Sequence, residues 1–256
     1  MCLTTASVRY SEYFAWSLGS SNDDLSSSIS SISQSCFHSA FKEEVDYIHG
    51  YSRSLPINEA RIGGTVTDSD SHQSRFTDKT GYGNSEIRQS TNKWIDHNDE
   101  KFRVDIKQKI FDGMVQANEQ CNWRYEITDM EHWQYTVYEA QEDKPTGDFY
   151  TWHTDAGADP YSDGTIRKIS CSVQLSDPDD YEGGHFQWIE SAKVFDRIKK
   201  RSGDIRLDEL IHTAPMSGRE LGSLIVFPSW LHHQVTPVTH GVRKSLVVWN
   251  KGWPLK

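Results

Sequence analysis

The second half of this chain alternates apolar and polar residues in short segments, and this pattern indicates β-strands. Residues two apart on a strand lie on the same face of a sheet. One such face is formed by Ile169, Cys171, Val173 and Leu175. Other strand-like segments span 133–138, 185–189, 223–227 and 242–250, with turn residues at 177–180, 183–184, 228 and 240–241. Many short strands with such turns predict a β-sandwich or barrel, and a jelly roll is the version in which we expect a single metal ion.

Residues before 131 show helical spacing instead. A first helix is predicted with Ser35 as its N-cap and Gly50 as its terminator, from the apolar residues Phe37, Ala40, Phe41, Val45 and Ile48. A second helix, with Asn98 or Asp99 as its cap, is predicted from the stripe Phe102, Ile106, Ile110, Met114 and Ala117. We expect both helices to pack against the sheet.

These patterns predict a mainly β fold with flanking helices (α+β). Residues 1–35 form a Ser-rich leader that we expect to be partly disordered. Residues 36–256 form a single domain, with helical support over 36–130 and a jelly-roll catalytic core over 131–256. Within this core, the charged segment 191–222 is either a lid over the site or a surface excursion.

The charge and the cysteines exclude several classes of protein. The chain has 256 residues, with 27 Lys and Arg against 37 Asp and Glu, which gives a net charge of −10. This charge disfavours binding to nucleic acid or to an anionic membrane. The cysteines form no C-x-x-C pair, which argues against a structural zinc site or a disulfide framework. Because the sequence has no membrane-spanning run and no signal-peptide pattern, we expect a soluble cytoplasmic protein.

The aromatic, strand-like segment 149–155 contains a candidate metal-binding pair. On a strand, His153 and Asp155 lie side by side on one face and can bind one ion. A histidine from a remote strand would complete a 2-His-1-carboxylate triad, which leaves the other metal positions open, as in non-haem Fe(II) oxygenases. A second His-x-Asp match, His97-Asn98-Asp99, lies in a polar run where Asp99 is expected to cap a helix.

The end of the chain supplies the remaining histidine and an arginine. His232 and His233 both occur in 231–237, and at most one of them points inward, because adjacent strand residues face opposite sides. Arg243 follows in an apolar strand-like segment. A buried guanidinium needs an anion, which is either an internal Asp or Glu or the carboxylate of a ligand.

Three motifs follow one another in order: Tyr-x-Trp-His-x-Asp at 150–155, Leu-Ser-Asp-Pro-Asp-Asp-Tyr-Glu-Gly-Gly at 175–184, and His-x-Val-Thr-Pro-Val-Thr-x-Gly-x-Arg at 233–243. Together they resemble the iron- and 2-oxoglutarate-dependent dioxygenases, in particular the prolyl 4-hydroxylase-like branch and its bacterial PKHD-type hydroxylases. The resemblance extends over about 131–249 and is faint before that. It implies a double-stranded β-helix, which is a jelly-roll variant of the cupin type.

The resemblance also implies a role for each candidate residue. In the family, the third metal ligand precedes Val-Thr-Pro-Val-Thr by one intervening residue, which implies His233 rather than His232. The implied Fe(II) ligands are therefore His153, Asp155 and His233. Arg243 would hold the distal carboxylate of 2-oxoglutarate, and two further residues would line or contact the cosubstrate pocket, namely Tyr138 and Gln174.

The implied reaction consumes 2-oxoglutarate and dioxygen, yields succinate and carbon dioxide, and hydroxylates a substrate C–H bond, with ascorbate as an accessory reductant. A peptidyl proline is the expected substrate, and a free amino acid or another small molecule is the second possibility within the class. Outside the class, the sequence is also compatible with a cupin-type metalloenzyme that does not use 2-oxoglutarate, or with a non-catalytic binding module. Neither nucleic acid nor membrane is expected as a partner.

Overall fold

The computed structural model describes residues 15–16, 43–59, 87–141, 146–157, 159–189 and 211–254. Two helices lie within these ranges, α1 over 43–53 and α2 over Val104–Gln120. The strands of the larger sheet are β1 (Ala15–Trp16), β2 (Asn58–Glu59), β4 (Thr91–Ile95), β5 (Asp129–Met130), β6 (Trp133–Glu139), β8 (Ile166–Gln174), β9 (Tyr181–Gly183), β12 (Leu224–Pro228) and β14 (Val238–Gly252). Those of the smaller sheet are β3 (Arg88–Gln89), β7 (Phe149–His153), β10 (Phe186–Ile189), β11 (Ile211–Thr213) and β13 (His232–Val235).

Consecutive strands cross from one sheet to the other. The larger sheet has the order β1-β12-β8-β14-β6-β4-β2, with β5 and β9 also paired to β14, and the smaller has the order β11-β10-β13-β7-β3. The chain therefore changes sheet along β6–β7–β8 and again along β12–β13–β14. The pairings between these strands are antiparallel. This arrangement confirms the predicted jelly-roll core with flanking helices.

Strand β8 shows why the sheet separates two environments. Its apolar face carries Ile169, Cys171 and Val173, which are fully buried in the cluster that contains α2. The opposite face carries Ser170, Ser172 and Gln174, which are also buried but polar. Because successive strand residues face opposite sides, one strand can bury an apolar layer and line a polar site.

Helix α2 packs on that apolar layer. Its buried stripe contains the predicted residues Ile106, Ile110, Met114 and Ala117. The predicted caps are wrong, because the helix begins at Val104 after Arg103, which makes no side-chain capping hydrogen bond. Asp99 instead accepts hydrogen bonds from the Tyr51 hydroxyl and, at 2.8 Å, from the Lys101 backbone N–H. It therefore closes the turn that precedes the helix.

Helix α1 buries Val45 and Ile48 in the same layer, as predicted. The predicted end at Gly50 is wrong, because the helix continues to residue 53. The side chain at position 52 is buried, so packing of the next turn compensates for the low helix propensity of glycine. The remaining predicted features of this helix lie outside the described residues: Ser35, Phe37, Ala40 and Phe41.

The predicted turn at His240-Gly241 is also wrong, because β14 runs through it. At this point β14 changes its partner from β9 to β6, with a register irregularity between Val238 and His240. Gly241 has φ of +69°, and a Cβ there would lie 2.0 Å from the carbonyl oxygen of Asp180. The glycine thus permits a bend within a continuous strand.

The domain division remains a prediction. Ala15–Trp16 of the Ser-rich leader pair with β12, and residues 190–210 of the charged segment lie outside the described residues. Cys171 is a buried free thiol. In the part of the chain that the structure describes, no helix has the length and apolar character needed to cross a membrane.

Candidate metal and cosubstrate site

Three predicted ligands converge between neighbouring strands of the smaller sheet. His153 is the last residue of β7 and pairs in register with His233 of β13. Asp155 lies two residues beyond β7, where its backbone N–H donates to Ser229 O at 2.9 Å. One potential ligand atom from each residue lies within 4.8 Å of the other two.

The two imidazoles direct the same nitrogen toward the carboxylate. His153 Nε2 lies 3.8 Å from Asp155 Oδ1, and His233 Nε2 lies 3.7 Å from Asp155 Oδ2. His153 Nδ1 bonds Thr151 O at 2.7 Å, and His233 Nδ1 bonds Leu231 O at 2.9 Å. A ring that donates from Nδ1 to a carbonyl oxygen keeps its Nε2 lone pair available for a metal.

The electrostatics favour the metal-binding protonation states of this pair. Burial, followed by the nearby His233, lowers the pKa of His153 well below its usual value. Burial alone would raise the pKa of Asp155, but the neighbouring His233, His153 and Arg167 outweigh it and hold that pKa below its ordinary value. A neutral imidazole and a carboxylate are the forms that bind a metal ion.

Aromatic rings fix the orientation of both histidines. Tyr150 stacks on His153 with ring centroids 3.4 Å apart and planes 11° apart. Phe227 and Phe186 contact His233, with centroids at 4.6 and 5.4 Å. Burial raises the pKa of Tyr150 to about 12, so its phenol stays protonated at neutral pH. These contacts hold the imidazoles without competing for the ligand position.

His232 lies outside this cluster although it is adjacent to His233 in sequence. It is half-buried, whereas His233 is buried. The alternation along β13 turns the two side chains to opposite faces, as the sequence pattern required.

A second part of the site surrounds Arg243, which is only 2% exposed. Its Nη2 donates to Gln174 Oε1 at 2.9 Å, and its Nη1 is buried without a hydrogen-bond partner. Its Cζ lies 5.5 Å from the centre of the Tyr138 ring. Among the described residues, no carboxylate pairs with this guanidinium, so the internal salt bridge that the sequence allowed is not observed there.

Tyr138 lies between the arginine and the rings beside the His-Asp-His cluster. It is buried in an apolar cluster with Val235 and Val238, and Tyr150, which stacks on His153, packs against that cluster. The predicted pocket residues Tyr138 and Gln174 thus both contact Arg243, and Tyr138 belongs to the cluster against which Tyr150 packs.

Sequence reasoning missed an ion pair behind Asp155. Arg167 donates from Nε and Nη2 to the two carboxylate oxygens of Glu131, at 2.8 and 2.6 Å, and Tyr161 donates to Glu131 Oε1 at 2.9 Å. Arg167 Nη1 also reaches Asp155 O at 3.5 Å. The sequence contains a signal for such a pair. Arg167 lies near the start of an alternating, strand-like segment, as Arg243 does, and a buried arginine requires an anion.

The sequence of the core matches a known family. Residues 133–251 match the family model described as the 2OG-Fe(II) oxygenase superfamily. Every predicted site residue lies within this range. This matched segment is therefore similar to the 2OG-Fe(II) oxygenase superfamily. Members of that superfamily, as its name states, use Fe(II) and 2OG (2-oxoglutarate), and both parts of the site lie in the matched segment.

Several PKHD-type hydroxylases are similar to the matched segment. The protein of Sphingopyxis alaskensis is 37% identical over 98 residues, which cover 38% of this chain and 36% of that protein. The protein of a Synechococcus strain is 34% identical over 105 residues, which cover 40% and 36%. The matched region therefore spans just over a third of the length of these relatives.

The similarity of this chain to solved structures is weaker. A prolyl-4-hydroxylase of Pseudomonas putida aligns with a TM-score of 0.44 and 22% identity, covering 66% of this chain and 74% of that one. A prolyl hydroxylase of Trichoplax adhaerens, in complex with a peptide fragment of hypoxia inducible factor, aligns with a TM-score of 0.43 and 14% identity, covering 83% and 90%.

Proposed function

We propose that this chain is an Fe(II)- and 2-oxoglutarate-dependent dioxygenase that hydroxylates a C–H bond of its substrate, with a peptidyl proline as the substrate class. The observation that carries the proposal is that a His-Asp-His cluster and a buried arginine nitrogen without a hydrogen-bond partner lie together in the matched segment, residues 133–251. The peptidyl substrate is supported by the three motifs that resemble the prolyl 4-hydroxylase-like branch, and the branch itself by the PKHD-type relatives.

The residues present fit a metal ion. The two Nε2 atoms and the carboxylate form the N₂O donor set typical of a facial triad. Asp155 Oδ2 is buried and has no hydrogen-bond partner, which is costly for a carboxylate unless an ion or donor approaches it. In the proposal, His153, Asp155 and His233 hold Fe(II).

The residues around Arg243 fit a dicarboxylate. A buried guanidinium with one free nitrogen favours a carboxylate ligand, because an unpaired buried charge is strongly unfavourable. Gln174 orients the guanidinium by accepting from Nη2, and Gly184 leaves room beside it, since a Cβ there would lie 2.8 Å from Arg243 Cδ. Arg243 would then bind the distal carboxylate of 2-oxoglutarate.

When bound, Fe(II) with 2-oxoglutarate and dioxygen supplies the oxidising chemistry. The side chains of this chain would bind and orient the metal ion and the cosubstrate. Arg243 fixes one end of the cosubstrate, Tyr138 and Tyr150 exclude water between the arginine and the metal ligands, and Arg167 restrains the backbone of Asp155. Ascorbate is the proposed accessory reductant and the cytoplasm the proposed location.

The proposal is tested by anaerobic reconstitution with ferrous iron and 2-oxoglutarate, followed by exposure to oxygen. Succinate and hydroxylated product are measured by mass spectrometry against proline-containing peptides and free amino acids. We expect succinate formation that increases with a proline peptide, together with a peptide product heavier by the mass of one oxygen atom. A His233→Ala variant should form neither.

Two outcomes would contradict the proposal. Metal-dependent turnover of a substrate without any loss of 2-oxoglutarate would indicate a cupin-type metalloenzyme. Binding of 2-oxoglutarate and metal without succinate formation, for every substrate in the panel, would indicate a binding module.

A further inference from the structure

A second group of metal-ligating side chains lies in the larger sheet, away from the β7–β13 pair. Asp96 directly follows β4, and His132 directly precedes β6. The register pairs Ile95 with Trp133, so the next positions outward, Asp96 and His132, face each other across the two strands. Opposed residues on antiparallel strands have Cβ atoms roughly 5 Å apart, close enough for side chains to share an ion.

The distances in this group are similar to those of the proposed iron site. His132 Nδ1 lies 3.2 Å from Asp96 Oδ1, and His97 Nδ1 lies 3.9 Å from the same oxygen. One ligand atom from each of the three residues lies within 4.8 Å of the others. Ligand bonds of about 2.0–2.1 Å in a tetrahedron place donor atoms roughly 3.3 Å apart, so small side-chain movements suffice to bind an ion.

His97 has the environment of a ligand rather than of a surface residue. Its Nδ1 is buried and has no hydrogen-bond partner, although a buried ring nitrogen normally has one. Burial, followed by the nearby His132, lowers the pKa of His97. On the other side of the ring, Asp129 Oδ1 lies 4.0 Å from His97 Nε2. This distance is too long for a hydrogen bond, but it places a carboxylate beside the ring nitrogen that would not bind the ion.

We propose that Asp96, His97 and His132 form a second site for a divalent transition metal, of the class of Zn²⁺. Two imidazoles with one carboxylate are ligands that suit Zn²⁺ and similar ions, and water would complete the coordination. The site uses no cysteine, which is why the scattered cysteines did not reveal it. Its ion would join the end of β4 to the start of β6.

The site is tested with the full chain by titrating metal-free protein with Co²⁺ and measuring bound metal and visible absorption. We expect two equivalents in the wild-type protein, one at each site. His132→Ala should lose one equivalent together with the strong absorption of four-coordinate Co²⁺, and His233→Ala should lose the other equivalent and retain that absorption.

Two further variants make the result specific. Asp96→Asn changes an exposed side chain, so the fold should remain intact, and the affinity of the second site should fall by at least about tenfold. His240→Ala removes an exposed histidine and should still bind two equivalents. If His132→Ala and Asp96→Asn bind the same amount of Co²⁺ as the wild type, or if His233→Ala removes both equivalents, the second site does not exist and the cluster is an ion pair only.

Discussion

Replacing Arg243 by Met should separate cosubstrate binding from metal binding. Methionine keeps much of the length and apolar volume of the side chain but removes the guanidinium. The change deletes the hydrogen bond to Gln174 at 2.9 Å and the buried Nη1 that is proposed to meet a carboxylate. It touches none of the three proposed metal ligands.

The size of the effect follows from the burial of the arginine, which is 2% exposed. Removing one partner of a buried, hydrogen-bonded charge pair costs about 2–5 kcal/mol of binding free energy. Since about 1.4 kcal/mol corresponds to a tenfold change, the Kd of 2-oxoglutarate should rise between about thirtyfold and a few thousandfold. Metal affinity should change by no more than about twofold, as expected for a residue that does not contact the ion.

The assay is anaerobic calorimetry, first with Mn²⁺ as a stand-in for Fe(II) and then with 2-oxoglutarate. Lys244→Met is the matched control, because Lys244 is the next residue of β14 and its side chain faces the opposite side. Equal loss of metal and cosubstrate in Arg243→Met would mean that the arginine is structural. An unchanged Kd for 2-oxoglutarate would refute the clamp.

Three further predictions concern the ligand register, a buried ion pair and pH. His233→Ala should abolish succinate formation while His232→Ala retains it, and the reverse result would show that the register is displaced by one residue. Glu131 and Arg167 form a bidentate ion pair in which the Glu131 side chain is 1% exposed. Glu131→Gln should therefore lower the free energy of unfolding by about 3–5 kcal/mol and lower Tm by roughly 6–20 °C. A Tm shift below about 2 °C would contradict this. Burial lowers the pKa of His49 from 6.5, so the unfolded chain binds the proton more readily, and the free energy of unfolding should fall as the pH drops through 6.5. Urea unfolding of His49→Gln should show a weaker dependence over this range, and an unchanged dependence would exclude His49 as a contributor.

The β core was predictable because alternation determines which residues a strand buries. Ile169, Cys171 and Val173 could be assigned to one buried face from spacing alone, and His233 could be separated from His232 once the family motif gave the register. Boundaries were less predictable, because they depend on distant contacts. Gly241 predicted a turn from the sequence. In the structure β9 pairs closely with β14 at this position, so the glycine instead allows a long strand to bend.

The partners of the supporting residues were not predictable for a related reason. The pairing of Arg167 with Glu131 joins positions 36 residues apart and depends on the strand register. The same holds for Asp96 and His132, which come together only because β4 pairs with β6. Each of these side chains has an ordinary surface interpretation until the partner strand is known.

The most direct test of the proposed iron site is the visible charge-transfer absorption of Fe(II) chelated by a 2-oxo acid. Metal-free protein is given Fe(II) and then 2-oxoglutarate under anaerobic conditions. We predict that the absorption appears in the wild type and in His232→Ala, is absent in His233→Ala, and requires a higher 2-oxoglutarate concentration in Arg243→Met. Wild-type protein without the absorption, or His233→Ala with it, would contradict an iron centre held by His153, Asp155 and His233.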